Sequence, residues 1–210
     1  MPSAEANLIC VAADLAVEMA RWLKHLRSER RLSPKTVEAY ERDLRQFLTF
    51  LSEHFGGRVT LKQFGKLATA DVRAFMAMRR ADDVAGRSLM RTLAGLRAFG
   101  KFLEAEGKGK LGALAAIRAP KVGKTLPKPL TVENARLMAD ADIRPGKGRD
   151  PWVLARDAAV MALLYGSGLR ISEALSLKRR DVPAPGAGDV LVVTGKGNKT
   201  RMVPVLQNVL

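Results

Sequence analysis

The 210 residues carry 36 Lys and Arg against 21 Asp and Glu, a net charge of +15, with 47% apolar and only 5% aromatic side chains. That length holds one ordinary domain or two small ones, and the composition is that of a folded chain rather than a disordered one. A single cysteine, Cys10, and two histidines, His25 and His54, exclude an intrachain disulfide and a cysteine-rich metal site and argue against a histidine-based zinc site.

The abundance of Ala, Leu, Val and Arg favours helices over a β-sandwich. Excess positive charge raises a potential that draws polyanions and speeds their association, although a solvated basic surface has the same composition. The apolar run Leu8 to Val17 is broken by Asp14 and lacks preceding basic residues, so it does not read as a secretion signal. No apolar stretch is long enough to cross a bilayer, and a reduced, cytoplasmic setting is expected.

Along the chain, the first helix is expected from about Asp14 to Glu29, where Leu15, Met19, Trp22, Leu23 and Leu26 recur on one face. A second follows in RRLSPKTVEAYERDLRQFLTFLSEHFGG. Ser33 suits an N-cap, Pro34 the first helical position and Gly56-Gly57 the end. A third begins after Thr69, with Val72, Phe75 and Met76 marking its turns. A fourth spans roughly Arg87 to Glu106 and turns Leu89, Leu93, Leu96, Phe99, Phe102 and Leu103 inward. These stripes predict the core of a helical bundle. The other face of the fourth helix carries Arg87, Ser88, Arg91, Thr92, Arg97 and Lys101. Such a face can contact phosphates and enter a groove, or simply face water.

Between Gly107 and Leu130, Gly, Pro and Lys crowd together without a period, which predicts an extended basic linker. Thr131 caps a short helix, and 143–150 read as a loop. Trp152 to Tyr165 is apolar on most faces and reads as the central helix of a second domain. Gly166 and Gly168 end it, and Ile171 to Leu177 makes another short helix. Two β-branched runs, Asp189 to Thr194 and Arg201 to Val205, flank GKGNK as a β-hairpin. The expected organisation is therefore a helical domain at 14–107, a linker at 108–130 and a second domain at 131–210.

Two cations stand out chemically. Arg170 follows a Gly-x-Gly turn at the start of a helix, where the dipole disfavours a positive side chain. A cation there makes sense if an anion arrives to share the guanidinium and the helix amides, with Glu173 orienting the arginine; a pairing with a neighbouring carboxylate is the alternative. Lys196 lies between Gly195 and Gly197 at the hairpin tip. It can meet a phosphate oxygen, donate a proton to a leaving alkoxide, or be merely solvated. Lys199 and Arg201 add charge nearby. GSGLRI lacks the third glycine of a dinucleotide fingerprint, GKGNKT has the wrong spacing for a phosphate loop, and no cofactor site is evident.

LSPKTVEAYERDLRQFLTFL, RTLAGLRAFGKFL, LPKPLTVENA, GLRISEALSLKRRDV and VTGKGNKTRMVPV, in this order, resemble the tyrosine recombinases of the phage integrase family, most closely the bacterial Xer type and its XerC branch. The resemblance implies a mainly α fold, with a SAM-like core-binding helical bundle linked to the first part of a mixed α+β catalytic domain that includes the hairpin. It implies that Arg170 grips a scissile phosphate and that Lys196 assists departure of the 5′-hydroxyl. Arg87, Ser88, Arg91, Thr92, Lys199 and Arg201 are the expected DNA contacts. A tyrosine would be the nucleophile, with neither metal nor nucleotide cofactor. The implied partners are double-stranded DNA and a second recombinase of the XerD type, with no membrane and no small-molecule substrate. The family pattern also needs a His-x-x-Arg pair and a late tyrosine, which do not occur here, since only Tyr40 and Tyr165 are present. The expectation is a C-terminally truncated recombinase that binds DNA without cleaving it alone; the rival is a non-catalytic protein occupying recombination sites.

Overall fold

A computed structural model describes residues 10–110, 112–123, 128–139, 150–183, 189–195, 197 and 199–205. The chain divides into two units, Met1–Lys124 and Thr125–Leu210. Among the described residues the fold is mainly α, with one two-stranded antiparallel sheet.

The first unit contains α1 (Ala13–Ser28), α2 (Pro34–Phe55), α3 (Leu61–Gly65), α4 (Thr69–Ala81), α5 (Gly86–Ala105) and α6 (Gly112–Ala116). Local chemistry sets the ends of α2. The Thr36 amide donates to Ser33 Oγ at 3.3 Å, and Gly56 closes the helix at φ 71°, in the left-handed region that costs glycine least. Leu15, Trp22, Leu44, Phe47, Phe75, Leu93, Leu96 and Phe99 are buried in one core, where the Phe47 and Phe75 rings lie 4.9 Å apart and those of Trp22 and Phe99 5.1 Å. The four long helices thus bury the apolar faces read from their periods.

Two short helices have no counterpart in that reading. The five residues of α3 are too few to show a period, and a reciprocal cap starts the helix: the Gln63 amide donates to Thr60 Oγ1 at 3.2 Å and the Thr60 amide to Gln63 Oε1 at 2.9 Å. The other, α6, falls inside the stretch expected to be extended. Leu114 and Ile117 insert into the core of the first unit, so the chain remains folded onto that unit as far as Ile117. Burial of two apolar side chains outweighs the helix-breaking composition around them.

In the second unit, α7 (Val132–Ala139), α8 (Pro151–Ser167), α9 (Ile171–Ser176) and a 3-10 turn (Arg179–Asp181) precede β1 (Val190–Thr194) and β2 (Thr200–Pro204). The hairpin pairs Val190 with Pro204, Val192 with Met202 and Thr194 with Thr200. Alternation turns Leu191, Val193 and Val203 inward onto Leu169 and Ala174. The expectation that α8 is a buried centre is corrected: none of its residues is fully buried, and Trp152 is 63% and Tyr165 58% exposed. A helix apolar on most faces needs partners on most sides, and the described elements leave its residues at best half-buried, Val160, Leu163 and Leu164 among them. The loop expected at 143–150 lies, except for Asp150, outside the described residues.

Candidate nucleic-acid interface and phosphate site

In the second unit, Arg170 is the extended residue immediately before α9, with φ −75° and ψ 149°. Glu173, one turn along, points back at it and is buried, with its side chain 2% exposed. The Arg170 amide donates to Glu173 Oε2 at 2.8 Å and Arg170 Nη1 to Oε1 at 2.9 Å. From β2, Arg201 grips the same carboxylate with two prongs, Nη1 to Oε1 at 2.7 Å and Nη2 to Oε2 at 2.8 Å. The Arg201 hydrogen bond, followed by the Arg170 amide, holds the Glu173 carboxyl far below the ordinary carboxylate range, against the burial that would raise it. Glu173 in turn raises the Arg201 guanidinium.

Two cations on one anion leave this cluster with a single positive charge. Arg170, with 64% of its side chain exposed, is its more open arm, against 40% for Arg201. A fixed guanidinium beside the amides that open a helix can hold a phosphate oxygen. Gly195 at the end of β1 donates its amide to the Lys199 carbonyl at 2.9 Å, and Lys199 itself is exposed on the hairpin. Lys196 lies outside the described residues.

The expected face of α5 is only partly available. Arg87 is exposed and Ser88 half-buried. Arg91 donates through Nε (2.9 Å) and Nη2 (3.2 Å) to Asp43, a carboxylate buried on α2. Thr92, expected on the outward face, is 2% exposed and is corrected to an inward position. It follows Leu89 by three residues and precedes Leu96 by four, which places it on the apolar side of the helix. Arg97, also expected outward, is corrected too. It reaches the end of α6, donating to the carbonyls of Leu114 (3.0 Å), Ala115 (3.5 Å) and Ile117. Lys101 remains exposed.

Sequence reasoning named Glu173 only as a partner of Arg170, and its i, i+3 spacing was the available signal. The second guanidinium comes from 28 residues further along, and no local pattern announces it. Asp43, the anchor of Arg91 from 48 residues away, was missed for the same reason.

Residues 19–107 match the phage integrase N-terminal SAM-like domain, and residues 134–210 match the phage integrase family. Among curated relatives, the tyrosine recombinase XerC of Bradyrhizobium diazoefficiens is 76% identical over 197 residues, covering 94% of this chain and 61% of the relative. The tyrosine recombinase XerC of Nitrobacter winogradskyi is 70% identical over 201 residues, covering 96% and 63%. The chain thus spans about three fifths of the length of these relatives. Among solved structures, a lambda integrase tetramer bound to a Holliday junction superposes with a TM-score of 0.66 at 20% identity, over 96% of this chain and 51% of that one. A XerH site-specific recombinase bound to a palindromic difH substrate gives a TM-score of 0.63 at 17% identity, over 91% and 54%. At these identities the structural likeness is one of fold.

Proposed function

Because the chain belongs to the phage integrase family of tyrosine recombinases, and within it to the XerC type, we propose that it works in site-specific DNA recombination, holding a duplex recombination site and gripping one phosphodiester at Arg170. The observation that carries this reading is the solvent-facing guanidinium of Arg170 on a buried carboxylate already shared with a second cation.

A phosphodiester under attack gains negative charge on its non-bridging oxygens, and a guanidinium fixed in advance stabilises that charge without reorganising. Lys196, on the neighbouring hairpin, would supply the proton that the departing 5′-oxygen needs. In this reaction class a tyrosine oxygen bonds to phosphorus as the 5′-oxygen leaves, and the phosphotyrosine link conserves the bond for rejoining. Neither tyrosine of this chain is assigned that role. Tyr40 stacks on Trp22 against the first core, and Tyr165 lies near the end of α8. Exposed Arg87, Lys101 and Lys199 would contact backbone phosphates. A second recombinase of the XerD type would occupy the opposite arm of the site, and the joint activity would resolve chromosome dimers in the cytoplasm at cell division.

The test is a selection from a randomised duplex library, followed by footprinting and a nicked suicide substrate. The 210 residues should enrich one site over its shuffled control, Arg170→Ala should change protection at the central phosphate, and no covalent adduct should form. Equal affinity for structured RNA at matched salt would remove the DNA reading, and an adduct would remove the binding-only expectation.

A further inference from the structure

Arg201 reads at first as one more phosphate contact, but its hydrogen bonds point elsewhere. Both of its terminal nitrogens are engaged with the two oxygens of Glu173, an end-on bidentate pair of two parallel N–H···O bonds. Arg170 uses a single guanidinium nitrogen, Nη1, on the same carboxylate, so among the described residues its Nε and Nη2 remain for a ligand. We infer that Arg201 is a positioning residue for Arg170: it neutralises Glu173 from the hairpin side and leaves Arg170 as the uncompensated cation of the cluster.

The charge balance explains the need. Glu173 alone would place Arg170 but also cancel it, giving a neutral pair with little attraction for a phosphodiester. Arg201 restores one net positive charge while both of its terminal nitrogens stay on Glu173. It also ties β2 to the first turn of α9, so that the strand leading out of the GKGNK hairpin is fastened to the residue that begins the helix.

Gly195 supports the same inference. Its φ lies outside the left-handed region, so no turn geometry demands glycine there. A Cβ at this position would overlap Glu173 Oε1 and lie 3.2 Å from Arg201 Nη1 and 3.5 Å from Arg170 Nη1. The glycine is thus the space in which the three side chains meet, and any larger residue would displace the carboxylate that both arginines hold.

The inference rests on Arg170 as the phosphate-binding residue, and the experiment separates the two. Affinity for the selected duplex is measured by fluorescence anisotropy for Arg170→Ala, Arg201→Ala, Arg201→Lys, Gly195→Ala and the Arg170→Ala/Arg201→Ala double variant. Glu173 is titrated by carboxyl 13C NMR without DNA. Arg170→Ala and Arg201→Ala should each lose about tenfold in affinity, the scale of one charge-assisted hydrogen bond, and the double variant should be no weaker than Arg170→Ala. Arg201→Lys keeps the charge but not the two prongs, and should regain only part of that loss, whereas Gly195→Ala should stay near Arg201→Ala. In Arg201→Ala the Glu173 titration should move up toward the ordinary carboxylate range; a purely packing role for Arg201 would leave it in place. Multiplicative losses in the double variant, or full rescue by lysine, would make Arg201 a direct DNA contact and overturn the inference while leaving Arg170 in its role. An Arg170→Ala variant with unchanged affinity and footprint would overturn the phosphate reading itself, and the positioning role with it.

Discussion

At the scale of residues, Glu173 shows how much depends on a carboxylate that faces no ligand. It accepts from Arg201 on both oxygens and from the Arg170 amide and side chain, and these bonds hold its carboxyl far below the ordinary range. A group depressed in the folded state stabilises above its unfolded pKa, about 4.3 for glutamate, and that contribution is lost as pH falls toward the folded value. The stability advantage of the parent chain over Glu173→Gln should therefore be constant between pH 8 and 5 and shrink from about pH 4 downward. Urea midpoints at pH 7, 5, 4 and 3 measure it, and a gap unchanged at pH 3 would contradict the bridge. The sequence offered Arg170 and Glu173 together because they sit one helical turn apart. It left open what else the carboxylate held, since the answer lies on another element.

At the scale of elements, what was legible followed length and regularity. The first two helices, α4 and α5 run for three turns or more, so their apolar stripes and the Ser33 and Gly56 ends of α2 stand out in the linear pattern. The hairpin was legible from its β-branched runs around GKGNK. The helix α6 was not, because five residues amid Gly, Pro and Lys show no period and their stability comes from the core they enter. Leu114 is 1% exposed there, while Arg97 closes the carbonyl end. Leu114→Ala should cost the first unit about 2–5 kcal/mol, the range for a buried leucine, as read by thermal and urea unfolding. A loss within about 0.5 kcal/mol, typical of an exposed site, would return this stretch to the status of a linker.

At the scale of the whole molecule, the count of 36 Lys and Arg overstates the cations offered to a polyanion. Arg91, Arg97, Lys108 and Arg201 are spoken for by Asp43, the α6 carbonyls, Glu18 and Glu173. Arg91→Ala leaves Asp43 buried without its partner, and should cost about 2 kcal/mol of stability, less than for a fully enclosed pair because the arginine is 41% exposed. The same variant should leave the salt dependence of duplex binding unchanged, because that slope counts displaced phosphate counterions at about 0.9 each. A slope reduced by about one unit would instead make Arg91 a phosphate contact. The sequence by itself determined the long helices, their apolar faces, the hairpin and the family resemblance, because periodicity, capping and short motifs act between neighbours along the chain. Only the tertiary structure decided which cations face outward. Asp43 meets Arg91, Arg97 meets Leu114, and Glu173 meets Arg201 across 48, 17 and 28 residues, and charge pairing at such separations depends on which faces the packed core brings together.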